Sequence, residues 1–289
     1  MHHRNILAKQ KLSHEDYVNI KRLEDICMEH CKLHLKLELD FKYNLAGMHK
    51  TSTVNHVNDF LCYSGRELIG YLSIFNLGGK TCEISGMVHP RHRRKGIFSE
   101  LYSKAIKECE RRGISDILLV CDSRSDSGLA FIRKTGAALS FSEYLMSRPA
   151  GINAGCKSSV TLRRAVNRDA AAIAELNHQC FGFVGFTGIL PEEEDKFGRI
   201  TYLIEHNRQT IGKIRFEISD NQSFIEGFCI LPGFRGRGLG KQALMTAISY
   251  LPDSIERISL LTEADNHAAI KVYQNCGFSR VTTLGYYKV

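Results

Sequence analysis

The fold is decided by the stretch Arg235-Gly236-Arg237-Gly238-Leu239-Gly240, a glycine-rich run between an apolar segment and an amphipathic one. The apolar segment ends in Ile230-Leu231-Pro232, which predicts a strand that stops at the proline, and apolar residues at helical spacing follow the glycines. A strand, a glycine loop and a helix N-terminus favour anion binding, because unpaired N–H groups and the helix dipole converge on the ligand. The stretch therefore predicts a phosphate cradle on an α/β fold.

Two other phosphate-binding loops do not fit this spacing. A Walker A loop needs Ser or Thr after its Gly-Lys, whereas Gln242 follows Gly240-Lys241. A dinucleotide fingerprint needs Gly-x-Gly-x-x-Gly, whereas the glycines at 236, 238 and 240 are spaced two and two. A plain glycine-rich turn is the remaining alternative for a loop that stands alone.

The loop does not stand alone, because the chain is a tandem repeat. The segment at 68–72 matches the segment at 210–214 with an offset of 142 residues, Gly70 to Gly212. The same offset carries Pro90, Arg93 and Gly96 onto Pro232, Arg235 and Gly238, and each glycine precedes a helix with the same apolar face. Further on the offset becomes 141, where Gly136 matches Gly277. A register held that long predicts two copies of one α/β unit.

The repeat divides the chain into an N-terminal domain at 1–148, a linker at 149–158 and a C-terminal domain at 159–289. The stretch around the linker contains Pro149, Gly151, Asn153 and Gly155, which is typical of a connection. In the second half the pattern predicts strands at 160–163, 200–204, 210–217, 223–231, 257–262 and 280–287. It predicts helices at 168–180, capped by Asn167, at 238–251 and at 266–276.

Two motifs of the second half resemble a known family. Arg235-x-x-Gly238-x-Gly240 after a Leu-Pro strand end looks like motif A of the GNAT N-acetyltransferase superfamily. Asn266-x-Ala268-Ala269-x-x-x-Tyr273-x-x-x-Gly277-Phe278 resembles motif B. The tandem layout is similar to that of mycothiol synthases and other two-domain GNAT proteins of bacteria. The resemblance implies an α/β fold class with two tandem GNAT folds, each a mixed, mostly antiparallel twisted sheet flanked by helices.

The resemblance also implies acetyl-CoA as the cofactor and assigns residues to it. In the C-terminal domain these are Cys229, Ile230, Leu231, Arg235, Gly236, Arg237, Gly238, Leu239, Gly240 and Asn266. In the N-terminal domain they are Val88, Arg93, Arg94, Lys95, Gly96, Ile97 and Phe98. Phe98 departs from the family pattern because it replaces the last small residue of the loop. The basic run at 89–95 is then part of a coenzyme A loop rather than a nucleic-acid patch.

Tyr273 matches the general acid of the family, a phenol that can protonate the departing thiolate. Its alternative is a core aromatic residue packed beside Gly277. Glu226 is the candidate general base, and its alternative is an ordinary strand glutamate facing solvent. In the first half Ile132 stands where Tyr273 does and Ser125 where Asn266 does. Because isoleucine cannot donate a proton, the N-terminal domain is expected to be catalytically impaired.

The expected function is direct transfer of an acetyl group from acetyl-CoA to a primary amine, on a small molecule or a peptide N-terminus, in the C-terminal domain. A catalytically weak acyl-CoA-binding regulatory protein is the alternative. The net charge of +8 suits an anionic ligand, but aromatic-basic interleaving is missing, so no nucleic-acid partner is expected. No apolar run of about 18 residues predicts a membrane span. The sequence leaves open whether the protein is a monomer or a homodimer.

The ten cysteines are scattered without a Cys-x-x-Cys pair, which predicts reduced thiols in a cytoplasmic protein. Cys27, His30, Cys31 and His34 are zinc-ligand residue types on one face of a predicted helix. Four ligands along one straight helix span about 10 Å, too far apart for one tetrahedral zinc. We therefore interpret this face as a packing surface and expect no metal site.

Overall fold

The computed structural model describes residues 4–40, 42–43, 56–76, 80–151, 158–182 and 189–289. The chain forms two compact units. Unit 1 comprises Met1–Ser142 with Thr282–Val289, and unit 2 comprises Glu143–Val281. Each unit is a sheet flanked by helices, so the expected α/β class with a mostly antiparallel sheet is confirmed.

The elements follow one another in the same order in both halves of the chain. The first half contains β1 (Arg4–Lys9), α1 (His14–Cys31), β2 (Asp59–Ser64), β3 (Glu67–Phe75), β4 (Thr81–Val88), α2 (Ile97–Arg111), β5 (Asp116–Asp122), α3 (Asp126–Thr135) and β6 (Ala138–Pro149). The second half contains β7 (Thr161–Arg164), α4 (Ala170–Phe181), α5 (Pro191–Asp195), β8 (Arg199–His206), β9 (Gln209–Ser219), β10 (Gln222–Ile230), α6 (Leu239–Ile248), β11 (Arg257–Glu263), α7 (His267–Asn275) and β12 (Ser279–Lys288).

In unit 1 the strand order is β1-β2-β3-β4-β5-β12. Strands β4 and β5 run parallel, and their pairing ends at Ile84 and Leu119, beyond which the two strands separate. Helix α2 packs on one face of the sheet and α1 on the other. The approach of α2 is close, because a Cβ on Gly70 would lie 2.8 Å from Ile97 Cγ2. This glycine of the repeat is therefore explained by helix-to-sheet packing.

In unit 2 the strand order is β7-β8-β9-β10-β11-β6. Strands β10 and β11 are the parallel pair, and their pairing ends at Ile225 and Leu260. Helix α6 buries Leu244, Ala247 and Ile248 in the core. The two units therefore place the same separation of parallel strands at the same point of the fold, directly before the glycine loop.

The compact units differ from the sequence halves at β6 and β12. Residues 143–149 of β6 pair with β11 and belong to unit 2, whereas residues 284–288 of β12 pair with β5 and belong to unit 1. Each unit thus obtains its last strand from the other half of the repeat. The division at 148 and 159 stays a proposal about the repeat, and most of the proposed linker, at 152–157, lies outside the described residues.

The helix start expected at Asn167 is wrong. Residues Asn167–Asp169 form a 3-10 turn, and α4 begins at Ala170 without a side-chain cap. Asp169 accounts for the difference, because its carboxylate accepts the Val166 N–H at 2.8 Å and binds Arg163 at 2.8 Å. The side chain of Asn167 instead accepts the N–H of Glu192 at 3.1 Å. A tertiary ion pair has shifted the start of the helix.

Asp122, at the end of β5, ties three segments of unit 1 together. Its carboxylate accepts the His34 N–H at 2.9 Å, the Thr282 hydroxyl at 2.9 Å and the Arg124 guanidinium at 2.8 Å. Burial alone would raise the pKa of Asp122, but the hydrogen bonds from Arg124, His34 and Thr282 lower it to about 2. The ionised carboxylate is therefore a stabilising group in unit 1.

Replacing Asp122 with Asn is expected to destabilise unit 1 by about 2–4 kcal/mol at pH 7, because buried donors lose a charged acceptor. Since the folded pKa lies below the unfolded one, this difference is present above about pH 4 and declines as the pH falls towards 2. Thermal unfolding across this range measures it. The control is Asp116→Asn on the same strand, whose partly exposed pair with Lys288 contributes about 0–1 kcal/mol. Equal losses for both variants would contradict the prediction.

Candidate functional site

The predicted phosphate cradle of unit 2 has the geometry of an anion site. After Ile230 the chain makes a 3-10 turn at Pro232–Phe234, and α6 then begins at Leu239. Gly238 is the N-cap with φ 75°, and no side chain caps the helix. The first-turn N–H groups of α6 are thus left available to an anion. Around a Cβ placed on Gly236 or Gly238 nothing lies within 4 Å, so a ligand has room to approach the backbone.

The loop arginine has a structural role in both units. Arg235 Nε donates to the carbonyl of Ile230 at 2.8 Å, and Arg93 Nε donates to the carbonyl of Val88 at 3.1 Å. Each bond ties the loop back to the end of the preceding strand. In unit 1 the same design continues, because Gly96 is the N-cap of α2 with φ 79°. Both predicted loops therefore have the same backbone construction.

The remaining loop residues lie at the surface or at the start of the helix. The Arg237 guanidinium lies 5.5 Å from the Phe234 ring, and Lys95 Nζ donates to the Arg91 carbonyl at 3.2 Å. Arg94 is exposed, with a positive φ of 63°. Leu239 and Ile97 are buried first residues of α6 and α2. The residues predicted from the sequence are thus brought together around two helix N-termini, one in each unit.

Strand β10 carries a bulge that β4 lacks. Glu226 pairs with Arg215 and Cys229 pairs with Lys213, so Gly227 and Phe228 together face the single residue between those partners on β9. In unit 1 the β3–β4 register is continuous from Gly70–Val88 to Phe75–Glu83. Gly227 is therefore an inserted residue, and its φ of 53° lies in the left-handed region that favours glycine.

Tyr273 lies on α7 beside this bulge. Its ring centroid is 6.3 Å from that of Phe228 and 6.0 Å from that of Phe278, and 7% of the residue is exposed. Burial raises the pKa of the Tyr273 phenol well above its ordinary value, with a further contribution from Cys229. The phenol therefore keeps its proton, as a general acid requires, and it also packs in the core of unit 2. In unit 1 the same position holds Ile132, which is buried.

The two helix caps confirm that these positions correspond. Asn266 caps α7 by accepting the Ala269 N–H at 3.1 Å, and Ser125 caps α3 by accepting the Gly128 N–H at 3.2 Å. Each cap is the seventh residue before the position compared, Tyr273 or Ile132. The offset of 141 residues inferred from the sequence is therefore a structural equivalence as well.

Glu226 is held by two arginines rather than facing solvent freely. Its carboxylate lies 2.6 Å from Arg199 Nη2 and 4.0 Å from Arg215 Nη1, and 27% of its side chain is exposed. Arg199 also binds Glu217 at 2.9 Å, and Arg215 binds Glu194 at 2.9 Å. Ion pairing of this kind stabilises the carboxylate and opposes its protonation. Glu226 therefore belongs to a charged cluster on the face of the sheet that carries α5.

The two units exchange an aromatic ring between strand and loop. In unit 1 Phe98 projects from the start of α2, and a Cβ on Gly86 would lie 3.1 Å from Phe98 Cε2. In unit 2 the ring comes from the bulge instead, because a Cβ on Gly240 would lie 4.0 Å from Phe228 Cζ. Phe98 corresponds to Gly240 and Gly86 to Phe228 at the offset of 142. The departure at Phe98 is therefore compensated by Gly86 on the facing strand.

Unit 1 contains a cavity of about 950 Å³ at its loop. Its lining includes six of the residues assigned to the cofactor in this unit, which are Val88, Arg93, Arg94, Gly96, Ile97 and Phe98. Ser125 and Ile132 line it as well. The cavity thus lies where β4 and β5 separate, next to the N-terminus of α2.

The cysteines and histidines around α1 have other roles than metal binding. Cys27 is buried in the core with Ile20 and Leu23, and Cys31 Sγ accepts a hydrogen bond from Arg93 Nη1 at 3.0 Å. Helix α1 ends at Cys31, so His34 is not on it. Among the residues that the structure describes, no group of three or more His, Cys, Asp or Glu side chains is arranged to hold a metal ion.

Comparison with known proteins places this geometry in a family. The model of the acetyltransferase (GNAT) family matches residues 19–137 and again residues 165–278. The chain belongs to the GNAT acetyltransferase family. Each match spans one copy of the repeat, so the tandem arrangement inferred from the sequence is confirmed and acyl transfer is the chemistry of the family. Within the described ranges of this GNAT protein, no helix is long and apolar enough to cross a bilayer.

Curated relatives share the tandem length. The chain is 27% identical to a mycothiol acetyltransferase of Saccharopolyspora erythraea, with 88% of this chain and 92% of the relative covered. It is 23% identical to a mycothiol acetyltransferase of Pseudarthrobacter chlorophenolicus, with 75% and 73% covered. These proteins are similar to this GNAT protein over most of its length.

Solved structures agree on the fold. A GCN5-related N-acetyltransferase from Sphaerobacter thermophilus matches with a TM-score of 0.75 at 16% identity, covering 99% of this chain and 95% of the other. A tandem GNAT protein from the clavulanic acid biosynthesis pathway, solved without AcCoA, matches with a TM-score of 0.74 at 15% identity, covering 99% and 98%. Both likenesses concern architecture.

Sequence reasoning missed the polar side of the β10 bulge. Lys213 is 3% exposed, and its Nζ donates to the carbonyl of Gly227 at 3.0 Å. A signal for the bulge was present in the sequence, because the repeat offset is 141 up to Ile225 and 142 at Ile230, which marks one inserted residue. The charged cluster around Arg199 had no such signal, since its members come from separate strands and a short helix.

Proposed function

We propose that this GNAT protein transfers the acetyl group of acetyl-CoA to a primary amine, and that unit 2 carries out the transfer. The observation that carries the proposal is the position of Tyr273, whose ring lies 6.3 Å from that of Phe228 in the β10 bulge. A protonated phenol is thereby placed next to the strand that precedes the glycine loop. Unit 1 has neither the bulge nor the phenol, since its register is continuous and Ile132 takes the corresponding place.

The glycine loop suits the donor. The first-turn N–H groups of α6 and the open space at Gly236 and Gly238 fit a pyrophosphate. The exposed side chain of Arg237 adds positive charge nearby. The backbone of Phe228, Cys229 and Ile230 is proposed to bind the acyl arm and its carbonyl, because these residues follow the point where β10 leaves β11. Asn266 caps α7 and so orients the helix that carries Tyr273.

The chain supplies two proton-transfer groups for the reaction. Tyr273 is proposed to protonate the thiolate that leaves when the amine has attacked the acetyl carbonyl. Glu226 is proposed to receive the proton of the attacking ammonium, directly or through a water molecule. Arg199 and Arg215 keep Glu226 ionised, and the exposed fraction of its side chain leaves an oxygen within reach of solvent. Small-molecule amines and peptide N-termini both satisfy this chemistry.

The relatives suggest one acceptor to test first. Two curated relatives are named mycothiol acetyltransferases, so the amine that acetylation converts into mycothiol belongs in the panel. Use of acetyl-CoA, together with cysteines that are free in the described part of the chain, supports a cytoplasmic location.

The cavity in unit 1 supports a second candidate function. A volume of about 950 Å³ at a loop with the same construction suits an acyl-CoA that is bound and not turned over. Under this alternative, unit 1 senses or stores acyl-CoA, and unit 2 need not react. The cavity and its lining by Arg93, Gly96 and Phe98 are the observations that favour it.

The two candidates differ in a direct experiment. The full chain is incubated with acetyl-CoA and a panel of primary amines, and acetylated products are identified by mass spectrometry. Binding of acetyl-CoA is measured in parallel by calorimetry. Acetylation of one amine class supports the transferase, whereas tight binding without product across the panel supports the acyl-CoA-binding protein. Absence of both binding and product would refute both proposals.

A further inference from the structure

Lys213 is a buried lysine that contacts the β10 bulge. Its Nζ donates to the Gly227 carbonyl at 3.0 Å and lies 5.6 Å from the centre of the Phe181 ring on α4. The fit is close, because a Cβ on Gly227 would lie 2.6 Å from Nζ. Burying an amine is costly unless it finds an acceptor, and the carbonyl exposed by the inserted residue provides one.

Unit 1 shows what the same position does without a bulge. Tyr71 corresponds to Lys213, and its hydroxyl binds Asp59 and Lys42 rather than the neighbouring strand. The β3–β4 ladder beside Tyr71 is continuous. The inserted glycine and the lysine therefore occur together in the unit that carries Tyr273, and neither occurs in the unit that carries Ile132.

We propose that Lys213 is a positioning residue, which holds the Gly227 carbonyl on its own side of the sheet and so fixes the bulge that receives the acyl group. The inference rests on the proposed function of unit 2. Without the Nζ bond, the peptide between Gly227 and Phe228 has no partner on that side to fix its direction. The Phe228 ring, which contacts Tyr273, depends on the same peptide plane.

The charge of Lys213 adds a dependence on pH. Burial lowers the pKa of its ammonium to about 8, Arg215 lowers it further, and Cys229, Glu194 and Glu226 oppose the shift. Since a charged donor makes the stronger hydrogen bond, the bulge is held most firmly below about pH 8. The grip weakens as the pH rises through that value.

Two substitutions of Lys213 test the inference in the full-length protein. Lys213→Met removes the donor and keeps the apolar stem, whereas Lys213→Gln retains an uncharged donor. We expect Lys213→Met to lower kcat/KM for acetyl-CoA about tenfold, equivalent to the loss of one hydrogen bond, with partial recovery in Lys213→Gln. The decline of kcat/KM above about pH 8 in the wild type should be absent in Lys213→Gln, which does not titrate.

Hydrogen exchange provides a readout that does not depend on activity. The β10 peptide at 222–230 should exchange faster in Lys213→Met, while the β4 peptide at 81–88 serves as the internal control and stays unchanged. Tyr71→Phe, at the corresponding position of unit 1, should leave the β10 peptide unchanged. A Lys213→Met protein with normal β10 exchange and normal kcat/KM would overturn the inference, even if its melting temperature falls. Altered β10 exchange in a wild type that acetylates nothing would instead retain the positioning role and refute the proposed function.

Discussion

Replacing Tyr273 with phenylalanine is expected to lower kcat about 100-fold or more, with little change in stability. The substitution removes only the hydroxyl, so the ring keeps its contacts with Phe228 and Phe278. General acid catalysis by a positioned side chain contributes about 10²–10⁴-fold, which sets the size of the effect. Steady-state kinetics with the best acetyl acceptor measures it, and acetyl-CoA affinity should stay near the wild-type value.

The control for this variant comes from the other unit. Ile132→Val changes the corresponding buried position by one methylene, at a cost of about 0.5–1.5 kcal/mol in stability. Its kcat should remain close to that of the wild type, because no proton passes through an aliphatic side chain. Activity of Tyr273→Phe within threefold of the wild type would refute the acid role and leave Tyr273 as a core residue. A fall in kcat for Ile132→Val would mean that unit 1 takes part in turnover.

Introducing phenylalanine at Gly240 is expected to disrupt the loop of unit 2. In unit 1 the corresponding Phe98 occupies space above a glycine, Gly86, whereas in unit 2 the Phe228 ring already fills that space. Two rings in one place force the bulge or the start of α6 to move, which costs about 1–3 kcal/mol for overpacking. Acetyl-CoA binding in unit 2 should weaken at least tenfold, because the first-turn N–H groups lose their positions. Calorimetric titration and thermal unfolding measure the two effects.

The double variant Phe228→Gly/Gly240→Phe makes this prediction specific. It gives unit 2 the arrangement that unit 1 already has, so it should be more stable than either single variant, with a coupling of about 1–3 kcal/mol. Gly240→Ala controls for the loss of glycine alone, since its Cβ meets only ordinary contacts at 3.8 and 4.0 Å. Purely additive losses would show that the two aromatic positions are independent.

Much of the fold could be predicted from the sequence because its determinants are local and repeated. The glycine loop, the Leu-Pro strand end and the apolar face of α6 lie within about twenty residues, and the copy at Val88–Phe98 confirmed the pattern. The same locality explains the correct positions of Asn266 and Ser125 as helix caps. Element bounds were close for the same reason, except at α4, where the pair between Arg163 and Asp169 decided the start.

Other features were decided by tertiary structure. Glu226 was expected as a free strand carboxylate, and the pairing with Arg199 and Arg215 depends on strand register, which residue types do not fix. The strand exchange at β6 and β12 likewise depends on which edge each strand reaches. Both the acid role of Tyr273 and its role as a core aromatic remain compatible with its burial, so only the kinetic experiment separates them.

The sequence by itself determined the family fold, its duplication and the place of the glycine loop, because backbone conformation at glycine and helix caps follows from neighbouring residues. Only the tertiary structure decided that Gly227 creates a bulge and that Lys213 binds its carbonyl. The same holds for Phe228 and Phe98, which fill one space from opposite sides. These features arise between strands and helices distant in sequence, where packing and the need to satisfy buried polar groups determine what each side chain contacts.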